Sequence, residues 1–340
     1  MKMSKELYGQ FLLSSQINYT CTYLSDHLSD ISHDKVRYFL LKSDLSPRII
    51  WKAVRAEMIQ SPNGYIIFDD TVLDKSYSHK IELVRRQYSG NAHGLVFGIG
   101  VVNCLYYNPE LKRSWLIDYR IFAPDVDGKS KHVHVMEMLE LLITRKVSYE
   151  TVLMDTWYAT TAVFKYLIKE NKIFYCPLKA NRKIDDSGGK EPYKQITECF
   201  WTEENIEKGK QIKVQKMSKD TYFKLFRVLV STTRTDYIVT NEITQQSTCA
   251  AETESSVRWQ VEQLHREEKQ TTGIEKCQCR IAKCQRNHIA MAILVWIRLK
   301  QYAYQTQQSI YRLKNSLLDE YMIKEMTNPT YKFDANFTFA

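Results

Sequence analysis

Apolar residues along the chain recur with two periods, which predict helices in one region and strands in the next. Residues 1 to about 60 have helical periodicity, and Ser32, Asp34 and the Ser46-Pro47 pair are candidate helix starts. Beyond this region, short apolar runs alternate with turn signals, as is typical of strands. Five of these runs are predicted to be strands: residues 65–68, 95–107, 115–122, 151–155 and 173–178.

Helical patterns separate the later strands. Residues 132–146 and 160–171 are predicted helices, and residues 179–235 form a polar, basic insertion that is followed by strand-like pieces. Two more helices are predicted, over residues 252–270 and 280–305. The resulting order is three strands, helix, strand, helix, strand, an insertion and a helix. It resembles the order of a ribonuclease H-like α/β fold.

Composition adds a weak indication of the partner. The 340-residue chain has a formal net charge of +9, which modestly favours a polyanionic partner such as nucleic acid. The longest apolar run, residues 289–297, is shorter than the roughly 20 residues of a membrane span, and no signal peptide is visible. Eight irregularly spaced cysteines indicate a reducing compartment. We therefore expect a cytoplasmic protein with no membrane partner.

One group of cysteines has two interpretations. Cys277, Cys279, Cys284 and His288 could be metal ligands, or they could pack a helix. Three of them repeat at seven and four positions, in a segment whose pattern predicts continuous helix. A structural zinc site usually takes its ligands from separate loops or turns, and no paired Cys-x2-Cys is present. Helix packing is therefore the preferred interpretation.

Two of the predicted strands lead into aspartate. Residues 65–68 are followed by Asp69 and Asp70, and residues 151–155 end at Asp155. Acids at the ends of neighbouring buried strands repel each other unless a cation lies between them, and hard oxygen ligands select Mg²⁺ or Mn²⁺. Alternatively, either acid could cap the helix that follows it.

One predicted helix combines a central acid with several cations. Arg258, Glu262, His265, Arg266 and Lys269 are spaced four, three, one and three residues apart, which places them on one helical face. A solvated stripe of ion pairs would produce the same pattern. Phosphate binding beside a metal-ligating acid explains the mixture better, because the cations would hold a DNA backbone while the acid holds metal.

Together these motifs resemble those of the DDE transposases of bacterial insertion sequences, in the insertion-sequence-4-like branch whose last motif is Tyr-x2-Arg-x3-Glu-x6-Lys. Arg258, Glu262 and Lys269 have that spacing, whereas Ser255 stands where the motif has tyrosine. The resemblance extends over about residues 5–305. Other segments resemble the family's N-terminal region, its first and second acidic motifs and the stretch after the last motif: residues 31–40, 68–77, 153–160 and 278–292.

The resemblance implies two Mg²⁺ (or Mn²⁺) ions per active site, with Asp69 bridging them and Asp155 and Glu262 each holding one. It implies strand cleavage by water at the ends of the element, after which the freed 3′-hydroxyl attacks the flanking strand or target DNA. Arg258 and Lys269 would grip the terminal phosphates. The expected partner is double-stranded DNA, as terminal inverted repeats and target, bound by a homodimer when two ends are paired. A cytoplasmic, nucleoid-associated location in bacteria follows from this function.

Several residue assignments have alternatives. The Asp-x-Thr spacing of Asp69 and Thr71 favours Asp69 over Asp70 as the first acid. Lys179 and Arg182, at the start of the insertion, are either DNA-backbone contacts or members of a solvated loop. The alternative function is a catalytically inactive transposase remnant that acts as a DNA-binding protein, suggested by the missing tyrosine.

The chain is predicted to have five regions. The N-terminal helices are expected to bind DNA, or equally to form a small bundle on the main domain. Trp157 is expected in the core, although it could stack on a displaced base, and His132 and His134 are expected at the surface or at a helix cap. Residues 1–60 are an N-terminal helical DNA-binding region, and residues 61–178 are the first part of the ribonuclease H-like core. Residues 179–250 are a β-rich insertion, residues 251–310 the last part of the core with the catalytic-glutamate helix, and residues 311–340 a C-terminal tail.

Overall fold

The computed structural model describes residues 2–90, 92–231 and 234–330. The chain divides into two compact units. The first unit comprises Met1–Ser46 and Arg266–Ala340, and the second comprises Pro47–His265. Among the helices in the described ranges, none combines the length and the apolar character that a membrane span requires.

The second unit is built on a sheet that contains eleven strands within the described residues. The five predicted core strands correspond to the first, third, fourth, fifth and sixth of them. The second strand was not predicted, because its sequence RRQYS has no apolar run. In chain order the strands are β1 Tyr65–Asp74, β2 Arg85–Ser89, β3 Gly94–Asn108, β4 Arg113–Phe122, β5 Thr151–Met154, β6 Ile173–Leu178, β7 Lys183–Asp185, β8 Lys194–Gln195, β9 Lys210–Val214, β10 Phe223–Leu229 and β11 Thr235–Thr240.

Strand β1 lies at the centre of the first part of this sheet. It pairs antiparallel with β3 on one side and parallel with β5 on the other, and β5 pairs parallel with β6. The long strand β3 holds β2 along its first residues and β4 along the rest. The insertion extends the same sheet, because β11 pairs antiparallel with β6, and β10, β9, β7 and β8 follow in that order.

Strand β1 is longer than its apolar run. The prediction that it ends at Asp69 is wrong, because it continues to Asp74 and keeps pairing with β3 as far as Gly98. Glycine permits this close approach, since a Cβ atom at Gly98 would lie 2.5 Å from the carbonyl oxygen of Leu73. Asp69 therefore lies inside a strand, one residue beyond the last β1 residue that pairs with β5.

Helices connect the strands of the second unit. The two predicted helices of the core are confirmed, and each begins at a hydroxyl cap: Ser130 accepts a hydrogen bond from the Val133 amide, and Thr160 accepts one from the Val163 amide. The last helix begins in the second unit and ends in the first. The helices are α4 Arg48–Val54, α5 Pro124–Asp127, α6 Lys131–Thr144, α7 Thr161–Lys169, α8 Glu203–Lys208, α9 Thr248–Ser256 and α10 Trp259–Thr271.

The helix predicted over residues 252–270 is in fact two helices, α9 and α10, with Val257 and Arg258 between them. At this junction the amides of both residues bond carbonyls three residues back rather than four. Ser256 also donates its hydroxyl to a backbone carbonyl at 2.7 Å, a competition typical of serine in helices. Arg258 consequently precedes the helical face that carries Glu262.

Within its described residues, the first unit contains helices and connecting segments but no strand. Its central helix is largely buried and is anchored by polar side chains. Asn287 donates to the carbonyl oxygens of Leu40 and Ser43 at 2.7 and 2.8 Å, and His288 contacts the Tyr8 hydroxyl at 2.8 Å. Besides the end of α10, the helices are α1 Lys5–Ser14, α2 Cys21–Asp26, α3 His33–Lys42, α11 Ala282–Thr306, α12 Ile310–Asn315 and α13 Asp319–Thr327, and the central one is α11.

The cysteine segment of this unit differs from its prediction. The interpretation of residues 277–288 as continuous helix is wrong, because α11 begins only at Ala282. Cys277 and Cys279 precede it, and their carbonyl oxygens accept hydrogen bonds from the Gln285 amide at 3.0 and 2.6 Å. The eight cysteines, all within the described ranges, are free thiols.

Candidate active site

Two of the three predicted acids lie side by side on neighbouring strands. The parallel pairing of β1 with β5 ends at Phe68 and Met154, and the next residues of the two segments are Asp69 and Asp155. Residues in register on adjacent parallel strands project from the same face of a sheet, so the two carboxylates form a short acidic row. Asp155 follows β5 with extended backbone angles, and its side chain makes no capping hydrogen bond to the turn after it. It therefore does not act as a helix cap.

The environment of Asp69 favours its neutral form. Its side chain is 16% exposed. The pKa of Asp69 is raised to about 7, mainly by burial; Arg258 opposes the rise, and the nearby Asp155 and Asp70 carboxylates contribute to it. Near neutral pH this acid is therefore poised between its two protonation states, and added positive charge would convert it fully to carboxylate.

Arg258 joins the first and third predicted acids. Its Nη1 donates to Asp69 Oδ2 at 3.2 Å, and its Nη2 donates to Glu262 Oε1 at 2.5 Å. All three side chains are partly shielded, with 25% of Arg258 and 33% of Glu262 exposed. Arg258 lies between α9 and α10, four residues before Glu262. The guanidinium thus lies between two carboxylates that were predicted to bind metal.

Asp70, the alternative first acid, has different partners. It accepts hydrogen bonds from Lys131 Nζ at 2.5 Å and from the Tyr158 hydroxyl at 2.6 Å. Burial, together with Asp70, raises the pKa of Tyr158 well above its usual value, so the hydroxyl stays protonated and donates. Asp70 is therefore held in a local ion pair with Lys131, whereas Asp69 contacts the arginine of the last motif.

The other basic residues of the last motif differ in exposure. In the second unit, His265 is only 8% exposed, so its burial does not support the expectation that it contacts DNA. In the first unit, Arg266 is exposed, and Lys269 pairs with Glu275 at 3.0 Å. Lys269 would have to exchange Glu275 for a phosphate in order to contact DNA.

A basic cleft of about 500 Å³ opens beside Asp155. The expectation that Trp157 is a core residue is wrong, because 54% of it is exposed. The His132 ring stacks on it with a 21° interplanar angle, and Lys179 Nζ lies 5.2 Å from the centroid of its ring. The cleft is lined by four cations and an aromatic ring: Lys179, Arg182, Lys183, Lys216 and Trp157.

The insertion contributes a further cation that the sequence did not indicate. Arg234, at the start of β11, forms two 2.9 Å hydrogen bonds with the Asp236 carboxylate. Asp236 is the main cause of the raised pKa of Arg234, and the Asp155 and Glu262 carboxylates add to it. Arg234 therefore lies in the electrostatic field of two candidate acids. Because Arg234 is far from both acids in the sequence, no local motif indicated that it would interact with them.

The three acids differ from a complete metal site in their arrangement but not in the chemistry of their oxygen donors. Among the residues that the structure describes, no group of three or more His, Cys, Asp or Glu side chains is arranged to hold a metal ion. The donor set nevertheless suits Mg²⁺ or Mn²⁺, because Asp69 adjoins Asp155 and both Asp69 and Glu262 already bind one cation, the Arg258 guanidinium. In this structure, however, Arg258 lies between Asp69 and Glu262.

Residues 106–298, more than half of the chain, match the family of transposase DDE domains. The chain therefore belongs to this family. It is a DDE transposase by class, and membership implies that it binds DNA. The matched residues include Asp155 and Glu262, while Asp69 precedes them in the sequence. No curated relative matches the chain.

Proposed function

We propose that this chain cleaves DNA strands at the ends of an insertion sequence and transfers them to new DNA, with Asp69, Asp155 and Glu262 as its metal-binding acids. The observation that carries the proposal is the contact of Arg258 with both Asp69 and Glu262, beside Asp155. A phosphate-binding cation and three hard acids in one place match the needs of phosphodiester chemistry.

The strand arrangement supports a ribonuclease H-like core. Three antiparallel strands, with β4 beside β3 and β3 beside β1, continue into parallel strands β5 and β6. We assign residues 61–178 and 251–310 to this core and residues 179–250 to a β-rich insertion, with a helical DNA-binding region at 1–60. The spacing of the last motif supports the insertion-sequence-4-like branch, although Ser255 replaces its tyrosine.

Asp69 is the better candidate for the first acid. Its carboxylate adjoins Asp155 and contacts Arg258, whereas the Asp70 carboxylate is already bound by Lys131 and Tyr158. A metal ion at Asp70 would have to break that ion pair. The pairing of Asp70 therefore favours a supporting role, and the geometry agrees with the Asp-x-Thr spacing.

Mg²⁺ or Mn²⁺, two ions in the active site, would activate the attacking hydroxyl and stabilise the leaving oxygen. Asp69, Asp155 and Glu262 would hold them. Release of Arg258 from the acids leaves its guanidinium able to bind a phosphate in two-pronged geometry. Rigid strands beneath Asp69 and Asp155 keep both carboxylates in place during this exchange.

The proposed DNA contacts lie on both sides of Glu262 in the sequence. Lys179 and Arg182 line the cleft beside Asp155 and would hold the backbone of one strand. Arg266 and Lys269 are proposed to bind phosphates of the terminal inverted repeats. A homodimer would form when two ends are paired, in the bacterial cytoplasm at the nucleoid.

Cleavage of end-labelled DNA that carries the sequences flanking this gene tests the proposal. Wild type should cut at the element boundary with Mg²⁺ or Mn²⁺, while Asp155→Asn and Glu262→Gln should lose nearly all activity. Glu254→Gln is a suitable control, because that acid bonds the Tyr65 hydroxyl rather than the acidic row. Metal-independent DNA binding without cleavage by wild type would instead establish a binding-only remnant.

A further inference from the structure

Asn103 is the residue of β3 directly opposite Asp69 of β1. Directly opposed residues of antiparallel strands project from the same face of a sheet, with Cβ atoms about 4.5–5.5 Å apart. Asn103 therefore extends the acidic row by one strand, so that β5, β1 and β3 contribute Asp155, Asp69 and Asn103 in turn.

The Asn103 side chain is buried without a hydrogen bond. It is 0% exposed, and neither its Oδ1 nor its Nδ2 finds a partner among the described residues. A buried amide left in this state destabilises a protein, so buried amides nearly always have partners. Leucine would fill the same volume without that cost. The amide therefore calls for a role beyond packing.

The Asp69 carboxylate is able to accept a further hydrogen bond. Asp69 Oδ1 accepts a hydrogen bond from the Asp70 backbone amide at 2.8 Å, and Oδ2 accepts from Arg258 at 3.2 Å. Each carboxylate oxygen can accept a second hydrogen bond, so the acid retains capacity on both oxygens. A small rotation of the Asp69 side chain, after Arg258 moves to a phosphate, would bring a carboxylate oxygen toward the Asn103 amide.

We propose that Asn103 is a positioning residue of the active site, whose side-chain amide donates a hydrogen bond to the Asp69 carboxylate and fixes its orientation for metal binding. This inference rests on the proposed function, in which Asp69 is a metal ligand. Hydrogen bonds of this kind orient ligating carboxylates, and their removal typically weakens metal affinity or activity about 10–100-fold.

A second asparagine on the same strand provides a matched control. Asn108 is also buried, but its Nδ2 donates to the Ile59 carbonyl at 2.9 Å and its Oδ1 accepts from the Leu111 amide at 3.0 Å. Both the nitrogen and the oxygen of its amide are used in hydrogen bonds that hold the segments before β1 and after β3. Replacing Asn108 should therefore lower stability, whereas replacing Asn103 should not.

The test compares Asn103→Leu and Asn108→Leu in the full chain by three measurements. These are the melting temperature in chelator, Mn²⁺ affinity from the electron paramagnetic resonance signal of free Mn²⁺, and the rate of DNA cleavage. We expect Asn103→Leu to melt at or above the wild-type temperature, with Mn²⁺ affinity and cleavage each about 10–100-fold lower. Asn108→Leu should melt earlier but bind Mn²⁺ within about twofold of wild type. Asn103→Thr, which keeps a hydroxyl donor on a strand-forming residue, should fall between Asn103→Leu and wild type in Mn²⁺ affinity.

Wild-type Mn²⁺ affinity in Asn103→Leu would overturn the inference. The inference would also be overturned if Asn103→Leu and Asn108→Leu both lost Mn²⁺ affinity in proportion to their fall in melting temperature. The proposed function fails separately, if wild type binds Mn²⁺ but cuts no DNA; the affinity comparison then still decides the role of Asn103. A wild type that binds no Mn²⁺ would overturn both.

Discussion

Arg258 donates a hydrogen bond to Asp69 across 3.2 Å, although the two residues are 189 positions apart in the sequence. The same guanidinium holds Glu262, so one protein cation occupies the region between two acids that are proposed to bind metal. Arginine in this position competes with a metal ion for the carboxylates. It is also the side chain best suited to exchange a carboxylate for a phosphate, because both match its planar array of donors.

Replacing Arg258 should therefore change metal affinity and activity in opposite directions. Arg258→Gln removes the competing cation, so the affinity of the DNA-free protein for Mn²⁺ should rise by about tenfold, equivalent to about 1.4 kcal/mol. Cleavage should fall about 10²–10³-fold, because the transition-state phosphate loses a cationic contact. Isothermal titration with Mn²⁺ and the cleavage assay measure the two effects. Arg298→Gln, at an exposed site, should alter neither, and weaker Mn²⁺ binding in Arg258→Gln would contradict the competition.

Asp69 should make the stability of the metal-free protein depend on pH. Its pKa of about 7 lies above the ordinary 3.8, so the folded state binds the proton more tightly than the unfolded state does. The stabilisation from this group is fully present below about pH 4 and is lost as pH rises to about 7. Asp69→Asn removes the dependence. Above pH 7 this variant should be more stable than wild type by up to about 4 kcal/mol, since one pKa unit corresponds to about 1.4 kcal/mol.

Urea unfolding in the presence of chelator, at several pH values from 4 to 8, measures this difference. The comparison between wild type and Asp69→Asn isolates Asp69, because other carboxyl groups titrate alike in both proteins. A constant difference across the range would contradict the burial of an ionisable Asp69. At pH 8, saturating Mn²⁺ should make wild type more stable than Asp69→Asn, because bound metal stabilises only the wild type.

Asp70 should behave as a structural partner of Lys131 rather than as a catalytic acid. Asp70→Asn leaves the shielded Lys131 ammonium without its counter-charge, which should cost about 1–3 kcal/mol of unfolding free energy. Cleavage should stay within about tenfold of wild type, whereas Asp69→Asn should lose about 10²–10³-fold or more. Parallel assays of the two variants decide the assignment. A greater loss in Asp70→Asn, at a temperature where both variants are folded, would make Asp70 the first acid.

Features of the fold that depend on local pattern were predictable from the sequence. The runs that became β3, β4 and β6 are strongly apolar, and the cap at Thr160 marks the start of its helix. The end of β1 was missed because two consecutive acids resemble a strand end. In the structure, backbone pairing with β3 keeps these polar residues in the strand. Pairing between distant strands cannot be predicted from the sequence of one strand alone.

The acids of the site and Arg258 carried a sequence signal, whereas other residues near them did not. Asp155 and Glu262 stand in motifs, but Asn103 reaches the acidic row through the register of β3 with β1. Arg234 interacts electrostatically with the acids because β11, in the insertion, pairs with β6 of the core. This pairing joins strands that are far apart in the sequence. His265 shared the spacing of the cationic face yet is buried, because helical spacing alone does not show which side of a helix is covered.

The basic cleft beside Asp155 should contribute to DNA affinity through charge. Lys179 and Arg182 line it, and each phosphate contact releases counterions, so the logarithm of affinity falls with the logarithm of salt concentration by about 0.9 per contact. Lys179→Gln and Arg182→Gln should each weaken binding and reduce that slope by about one. Fluorescence anisotropy with element-end DNA, across a range of salt concentrations, measures both quantities. Lys208→Gln, whose lysine pairs with Glu204 on exposed α8, is the control for net charge alone. If all three variants lowered the slope equally, the effect would come from overall charge and not from contacts in the cleft.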